Sequence, residues 1–279
     1  CIEVKIMKCN RIKFDGINPF DFSVNYIEID SKAPENQNEH HVHNECEIYL
    51  NLSGDVSFVV EDTVYPIVPG SIIITRPYEY HHCVYHSNAL HKHYWILFSA
   101  DGNEEYLDIF FRRTPGERNL LISPPEQTEK LISVVEKLIC DDLTPFLKYN
   151  YFFELIDLMN KSQINENPTG KNLSPDLVFA LQYFNRNLAL PISMSDVASL
   201  AHVSLNTLER HFIKAFHLSP TEYLKRRRLG FAMELLHHGS TVSEASFESG
   251  FTDCSAFIHT FKKQVGTTPL QYKKMNSRL

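Results

Sequence analysis

Two segments near the end of this chain, residues 192–216 and residues 241–263, are near-repeats of one another. Each opens with a hydroxyl-bearing residue followed three residues later by an acidic residue, which is the pattern of a helix N-cap. These pairs are Ser193 with Asp196 and Thr241 with Glu244. A tight turn follows in each segment, and then a second capped stretch with large apolar residues four positions apart. Two short helices joined by a tight turn are typical of a DNA-binding helix-turn-helix, so the sequence predicts two such units.

Residues 220–236 lie between the two segments and are predicted to form one long helix, with Pro220 in its first turn. A rigid connecting helix would fix the distance between the two units. That arrangement suits two successive major grooves, which lie about 34 Å apart on one face of a duplex.

The predicted second helices supply the candidates for contact with DNA. In the first, the residues opposite Leu208 and Phe212 carry groups that can hydrogen-bond to base edges. They are Asn206, Thr207, Glu209 and Arg210. Further hydroxyls and lysines of the two units are candidates for contact with phosphates. They are Ser204, Lys214, Thr252, Lys262 and Lys263.

Charge is distributed unevenly along the chain. Residues 174–279 hold 12 lysines and arginines against 8 aspartates and glutamates, a net charge of +4, whereas residues 1–173 hold 15 against 26, a net charge of −11. A basic segment on an acidic body is compatible with binding to a polyanion, although such a modest charge is also ordinary. Charge therefore favours nucleic acid only weakly.

Residues 1–100 have the alternation and the turn signals of β-strands. Within residues 45–52, Cys46, Ile48 and Leu50 share one face, and Glu47 and Tyr49 share the other. Further strand-like runs follow, bounded by Gly, Pro and Asp. They are residues 56–60, 71–75 and 93–98. Many short strands with regular turns predict a β-sandwich or β-barrel.

Two helical patterns follow, at residues 126–140 and 145–159. The apolar side of each helix must pack against the barrel or against a second subunit. We expect a homodimer through these helices, with Leu131 and Leu138 in the contact. On the second helix, the apolar side is predicted to hold Phe146, Tyr149, Phe153, Ile156 and Leu158.

The predicted domains are residues 1–160, residues 175–279 and a linker at residues 161–174 that is rich in Asn, Ser, Gly and Pro. No apolar run reaches the ~18 residues that span a bilayer, and the start does not have the pattern of a signal peptide. Six scattered cysteines fit a reducing compartment. We therefore expect a cytoplasmic protein that does not enter the membrane.

A group of histidines and a glutamate stands out in the β-rich half. His41, His43 and Glu47 share parity, so on one strand they face one way and form a set suited to a divalent transition metal. Their spacing, with Gly54 after it, resembles the first motif of cupin barrels. The second cupin motif is looser. There Glu79 replaces the usual Gly, and because His81 and His82 alternate, only one of them can join. The sequence does not decide which of the two faces the pocket, and His82 is the candidate named for the fourth position.

Three interpretations of this group stay open: a catalytic metal, a metal that helps to hold a ligand, and plain hydrogen-bond partners without metal. The predicted ligand-binding residues are His41, His43, Glu47, Tyr49 and His82, with Tyr49 able to stack on a sugar ring.

Four runs of residues between positions 192 and 274 form a specific pattern. They are Phe212…Phe216…Ser219-Pro220…Tyr223, Arg228-Leu229-x-x-Ala232-x-x-Leu235-Leu236, Gly250-Phe251-x-Asp253-x-Ser255-x-Phe257-x-x-x-Phe261-Lys262 and Gly266-x-x-Pro269-x-x-Tyr272. This pattern resembles the DNA-binding domain of the AraC/XylS family of bacterial transcription regulators. It departs from the family at His217, where Gly is usual, and at Ser246, where a small Ala usually packs.

The resemblance implies a multidomain α+β protein with an N-terminal cupin-like sensor barrel, two dimerisation helices and a C-terminal all-α DNA-binding domain. It implies double-stranded DNA, a small effector such as a sugar, RNA polymerase and a second copy of the chain as partners. It also places Ser255, Ala256 and His259 at base-facing positions of the second recognition helix and makes Arg228 a structural ion-pair partner. The implied function is ligand-responsive, sequence-specific regulation of transcription, without enzymatic activity.

Two alternatives share parts of this evidence. A cupin metalloenzyme, an isomerase or dioxygenase, fused to a DNA-binding domain would use the same histidines and glutamate as metal ligands. A constitutive DNA-binding protein would use the barrel only to dimerise. The irregular second cupin motif weighs against the enzyme.

Overall fold

The computed structural model describes residues 5–8, 21–30, 42–61, 63–86, 89–100, 104–140, 142–165, 173–216 and 218–276. The chain divides into an N-terminal unit, Cys1–Gly170, and a C-terminal unit, Lys171–Leu279. The division lies inside the predicted linker. His41 and His217, singled out from the sequence, lie outside the described residues.

Strands of the N-terminal unit form two antiparallel sheets. The strands are β1 (Lys5–Lys8), β2 (Phe22–Asp30), β3 (Cys46–Ser53), β4 (Val56–Val60), β5 (Thr63–Ile67), β6 (Ile72–Thr75), β7 (His81–Tyr85), β8 (Leu90–Phe98), β9 (Leu120–Ile122) and β10 (Gln163–Ile164). The larger sheet has the order β1-β2-β8-β3-β6-β9-β10, and the smaller has the order β5-β4-β7.

Helices flank the sheets in the N-terminal unit and make up the C-terminal unit. The former are α1 (Asp108–Phe111), α2 (Pro125–Ile139) and α3 (Pro145–Asn160), and the latter are α4 (Pro175–Arg186), α5 (Met194–Leu200), α6 (Leu205–Phe216), α7 (Pro220–His237), α8 (Val242–Glu248), α9 (Cys254–Val265) and α10 (Pro269–Asn276). This confirms the predicted fold class, a β-rich unit followed by an all-α unit.

The central strand β3 separates two apolar clusters because its side chains alternate between the faces of the sheet. Cys46, Ile48 and Leu50 belong to the cluster that the larger sheet forms with α2 and α3. Tyr49 belongs to a second cluster, between the two sheets, with Phe58 of β4. The odd-numbered residues of β3 therefore face the interior between the sheets, as the sequence pattern predicted.

The helices α2 and α3 pack differently from the sequence prediction. Leu131 and Leu138 are fully buried in the core of a single chain, so they are not available for the predicted subunit contact. Phe146 and Phe153, predicted on the packed side of α3, are 66% and 49% exposed. The prediction was wrong here because apolar residues lie on nearly all sides of α3, so spacing alone does not identify its buried face.

The structure also differs from the predicted linker at its start. Gln163 and Ile164 form β10, which pairs with Ile122 and Leu121 of β9.

Among the described residues, no helix is both long and apolar enough to cross a membrane.

Side-chain caps set the helix boundaries of the C-terminal unit. Ser193 caps α5, Ser219 caps α7, and Thr241 with Glu244 forms a reciprocal capping box at α8. The predicted pairs Ser193 with Asp196 and Thr241 with Glu244 are therefore confirmed. The 18-residue helix α7 connects the two helix-turn-helix units and is about 27 Å long.

Candidate DNA interface and effector site

The helix α6 presents a polar face opposite a buried aromatic one. Leu208, Phe212 and Phe216 are buried, and they follow the i, i+4, i+8 spacing of one helix face. The backbone N–H of Thr207 donates to Ser204 Oγ over 3.1 Å, which makes Ser204 the N-cap of the helix. The opposite face is therefore oriented outward by burial on one side and by a cap at its start.

A shallow concave surface covers this outward face of α6. It is lined by Asn206, Glu209, Arg210, Ile213 and Lys214. Thr207 is half-buried, and its hydroxyl lies 2.9 Å from Ser204 Oγ. The predicted DNA-facing residues of α6 thus share one surface, with hydrogen-bonding groups suited to base edges and a lysine suited to phosphate. Their contact with DNA stays a prediction.

The helix α9 repeats this design with different residues. Its N-cap is Asp253, whose Oδ1 accepts from the N–H of Ala256 over 2.8 Å. Phe257 and Phe261 are buried. The predicted contact residues all lie on exposed positions; they are Thr252, Ser255, Ala256, His259, Lys262 and Lys263.

Two arginines of α7 are turned into the C-terminal unit. Arg228 donates from Nε to Leu188 O over 2.9 Å and from Nη2 to Leu190 O over 2.6 Å. Arg227 donates to Asn185 Oδ1 over 3.0 Å, and burial lowers the pKa of Arg227 to about 10. Arg228 is therefore structural, as expected, but its partners here are backbone carbonyls and not the ion-pair partner implied by the family resemblance.

The N-terminal unit brings His43, Glu47 and His81 together. His43 Nε2 lies 3.2 Å from Glu47 Oε2, and His81 Nε2 lies 3.1 Å from the same oxygen. Glu47 and His81 are almost fully buried and His43 is partly buried. The cluster therefore combines Glu47 of β3 and His81 of β7 with His43. The sequence predicted His43 on the same strand as Glu47, but His43 precedes β3.

The structure corrects the predicted fourth member of this cluster. His81 pairs in register with Val60 and joins the interior, whereas His82 pairs with Val59 and faces the other way. The ring of His82 packs edge-on against Tyr80 at 5.7 Å between centroids. The alternation of β7 permits only one of the two histidines to face Glu47, and the register of β7 with β4 selects His81.

Backbone contacts set the role of Nδ1 in each of the two histidines. The carbonyl of Glu79 lies 2.7 Å from His81 Nδ1 and must accept, so Nδ1 carries a proton, while Nε2 lies 3.1 Å from Glu47 Oε2. The N–H of Glu45 donates to His43 Nδ1 over 3.3 Å, so the proton of neutral His43 is on Nε2 and points to Glu47. His43 is thus oriented as a hydrogen-bond donor to the carboxylate.

Three further polar residues face the same interior and were missed from the sequence. Asn51 lies two residues beyond Tyr49 on β3 and pairs with His93 of β8, and Thr75 of β6 pairs with Glu47. All three are buried, and among the described residues no hydrogen-bond partner reaches the Asn51 amide, the Thr75 hydroxyl or His93 Nδ1. The parity of Asn51 with Glu47 was visible in the sequence; His93 and Thr75 needed the register.

Tyr49 and His93 stack within this interior. Their ring centroids are 4.4 Å apart, and Tyr49 also contacts Phe58 at 5.0 Å. Burial lowers the pKa of His93 to about 3, so its imidazole is neutral at neutral pH, and burial raises the pKa of Tyr49. The middle of the interior is therefore uncharged, and Glu47 lies at one end.

A buried ion pair holds the loop that carries His81. Arg113 donates from Nη1 and Nη2 to the two carboxylate oxygens of Glu79 over 2.7 and 2.6 Å. Glu79 also accepts from the backbone N–H groups of Arg76 and Gly116, over 2.8 Å each. Glu79, the residue that departs from the cupin pattern, thus has two roles. Its carboxylate holds residues 113–116, and its backbone carbonyl orients His81.

Sequence comparison identifies two domains in this chain. Residues 29–138 match the AraC-like ligand binding domain, and residues 197–275 match a helix-turn-helix domain. The first covers the histidine cluster and most of the two sheets, and the second begins within α5 and covers the rest of both helix-turn-helix units.

Named relatives match the chain over different lengths. An uncharacterized HTH-type transcriptional regulator, YdeC of Bacillus subtilis (strain 168), is 33% identical over 98 residues, which cover 35% of this chain and 34% of that protein. The HTH-type transcriptional activator RhaS of Escherichia fergusonii is 23% identical over 259 residues, 89% of this chain and 92% of that protein. The lactose operon transcription activator of Staphylococcus xylosus is 22% identical over 237 residues, 81% and 82% of the two chains.

Proposed function

We propose that the N-terminal unit of this chain senses a small uncharged polar molecule, such as a sugar, between its two sheets. The chain belongs to the AraC family of ligand-responsive, DNA-binding transcription regulators. The matched domains and the named relatives are those of regulators, so the chain is a regulator and not an enzyme.

One observation carries the proposal: the buried side-chain amide of Asn51 has a hydrogen-bond partner on neither its nitrogen nor its oxygen among the described residues. A buried polar group without a partner costs about 1–3 kcal/mol. A ligand that both donates and accepts at this place would remove that cost. Hydroxyl groups do both, and the Thr75 hydroxyl and His93 Nδ1 offer them further partners.

Charge in the interior supports an uncharged effector. His93 is neutral at neutral pH because burial lowers its pKa, and the Arg113 guanidinium is paired with Glu79. Glu47 adds a carboxylate. An anionic effector would meet a carboxylate and no free cation among the described interior residues, which is unfavourable at low dielectric. A sugar also agrees with a relative described as a lactose operon activator.

A divalent transition metal is the alternative use of the cluster. His43, Glu47 and His81 place their ligand atoms within 4.8 Å of one another. His81 fits ligation, because its Nδ1 donates to a backbone carbonyl, as the second ring nitrogen of a metal-bound histidine does. His43 does not fit, because its Nδ1 accepts from Glu45 N–H and Nε2 keeps the proton. In this arrangement the three-residue set does not fit a metal, so we propose that it serves as hydrogen-bond partners.

We further propose that the regulator acts as a homodimer that recruits RNA polymerase when bound to DNA. With Leu131 and Leu138 buried in the core, a subunit contact on α3 would use its exposed apolar residues. These are Phe146, Leu147 and Phe153. Effector binding would then shift the population of the DNA-binding arrangement.

A panel of sugars tests the effector proposal on the full chain, using a duplex that the protein itself selects from a random-sequence pool. We expect at least one sugar to change DNA affinity, and Asn51→Ala to weaken that response about tenfold while affinity without sugar is retained. Lys92→Gln is the control, because Lys92 neighbours His93 on β8 and pairs with Glu28 on the other face. An Asn51→Ala variant with the wild-type sugar response would refute the site.

Metal content is measured separately by native mass spectrometry before and after chelation. We expect a dimer whose mass and sugar response do not change on chelation. A chelator-sensitive metal that His43→Gln removes would instead support the metal-assisted site.

A further inference from the structure

Ile213 is an exposed aliphatic residue within the polar face of α6. It is 54% exposed and lines the shallow surface that also contains Asn206, Glu209, Arg210 and Lys214. It follows Asn206 by seven residues and Arg210 by three, which places all three on one side of the helix. Single exposed apolar residues are common on protein surfaces. Ile213 differs from them because charged and amide groups suited to DNA surround it.

The second recognition helix has a different residue at the matching position. Ile213 is the ninth residue after the N-cap Ser204, and the ninth residue after the N-cap Asp253 is Lys262. A lysine there is suited to a phosphate. An isoleucine makes no hydrogen bond and no ion pair, so it can gain stability only by burying its apolar surface.

We propose that Ile213 contacts the 5-methyl group of a thymine in the major groove and adds a base preference at one edge of the site that α6 reads. The thymine methyl is the apolar feature that a base pair presents in the major groove. Seven residues of helix span about 10.5 Å, or about three base-pair steps, so this thymine lies within about three base pairs of the base next to Asn206. The inference rests on the proposed placement of α6 against DNA.

Uracil substitution tests the contact, because uracil lacks only the methyl group of thymine. The full-length protein selects a duplex from a random-sequence pool, and each thymine of the site is then replaced singly by uracil. We expect one such replacement to weaken wild-type binding about fourfold. Ile213→Ala should weaken binding to the thymine duplex about equally and should show no further loss with uracil at that position.

Two control variants separate the outcomes. Leu200→Ala removes another half-exposed aliphatic residue of the same helix-turn-helix, on α5, and should retain the full uracil effect. Arg210→Ala reports whether α6 contacts DNA at all. If Arg210→Ala weakens binding but Ile213→Ala keeps wild-type affinity and wild-type sensitivity to uracil, the thymine contact is overturned. If Arg210→Ala is also without effect, the placement of α6 fails and the inference fails with it. Equal melting temperatures of the variants exclude a folding defect.

Discussion

The two helix-turn-helix units, α5–α6 and α8–α9, use one turn geometry and fill it with different residues. In the first, Val203 N–H donates to Ala198 O over 3.0 Å, and in the second, Phe251 N–H donates to Ser246 O over the same distance. The residue before each donor has a positive φ: +58° at His202 and +89° at Gly250. The first turn therefore places a non-glycine residue, His202, in the strained left-handed backbone conformation, whereas the second turn has Gly250 there.

The recognition helices differ in chemistry as well. α6 carries Asn206, Glu209 and Arg210, whose side chains can hydrogen-bond to base edges. α9 instead carries the small Ser255 and two consecutive lysines suited to phosphates, Lys262 and Lys263. The difference predicts a division of roles, with base readout concentrated in the first helix-turn-helix unit and phosphate contact in the second. Such a division would need no change in backbone design, because the two units share one turn geometry.

The largest expected effect concerns the second turn. Gly250→Ala should lower the free energy of unfolding by about 3 kcal/mol or more, because a Cβ there would lie 2.5 Å from Leu188 O and 2.7 Å from Arg228 Nε. Urea unfolding of the full chain measures the loss.

Gly239→Ala is the matched control. Gly239 has a φ of +97°, but a Cβ there has no atom within 4 Å, so the loss should be about 1 kcal/mol from backbone strain alone. Equal losses in the two variants would show that the contact with Leu188 and Arg228 is unimportant.

The next effect tests the division of roles between α6 and α9. Arg210→Ala should weaken DNA binding by about 1–3 kcal/mol and relax base preference at one position. Lys263→Ala should weaken binding to all sequences alike and reduce the salt dependence. Affinities are measured on the self-selected duplex and on single-base variants at two salt concentrations. A loss of base preference in Lys263→Ala but not in Arg210→Ala would reverse the assigned roles.

A third prediction concerns the ion pair between His211 of α6 and Asp176 of α4. In the described part of the chain, α9 has no corresponding ion pair. His211 Nδ1 donates to Asp176 Oδ2 of α4 over 2.8 Å. Burial alone would raise the pKa of Asp176, but hydrogen bonds from Ser174 and His211 and the charge of His211 outweigh it, and the pKa is lowered. A carboxylate with a lowered pKa stabilises the fold above its unfolded pKa, near 4, and loses this contribution as the pH falls through the folded value.

Asp176→Asn should therefore cost about 1 kcal/mol at pH 6, where the Asp176 carboxylate is charged, and progressively less below pH 4. Urea unfolding at pH 6, 4 and 3 measures this difference between variant and wild type. A difference that stays constant with pH would show that the Asp176 charge is not involved.

The smallest expected effect compares the interiors of the two helix-turn-helix units. Ser246 of α8 is fully buried, and among the described residues its hydroxyl has no hydrogen-bond partner. The matching residue of α5 is Ala198. Ser246→Ala should raise the free energy of unfolding by about 1 kcal/mol, and Ala198→Ser should lower it by a similar amount. If both substitutions are neutral in urea unfolding, the two interiors tolerate a hydroxyl equally.

Local sequence signals were sufficient for most of the fold. Capping pairs such as Thr241 with Glu244 located helix starts because the cap and the first turn are neighbours in sequence. Alternation identified both faces of β3 for the same reason. The buried face of α3 was not predictable, because Phe146 and Phe153 are as apolar as the residues that pack.

The candidate effector site depended on long-range register and was predicted only in part. Glu47 and His43 lie four residues apart, and their proximity follows from local spacing. The choice of His81 over His82 is made by pairing with β4, some twenty residues away. That Thr75 and His93 face the same interior as Glu47 can be seen only when β6 and β8 are aligned beside β3.

The buried pair of Glu79 and Arg113 also constrains how this sequence can change over generations. Removing one member leaves the other charge buried without its counter-ion, which costs about 3–5 kcal/mol, a large part of a domain's stability. A lineage therefore keeps both residues or exchanges them in close succession. Among related regulators, these two positions should be inherited as a unit, with the acidic residue rarely present where the arginine is absent.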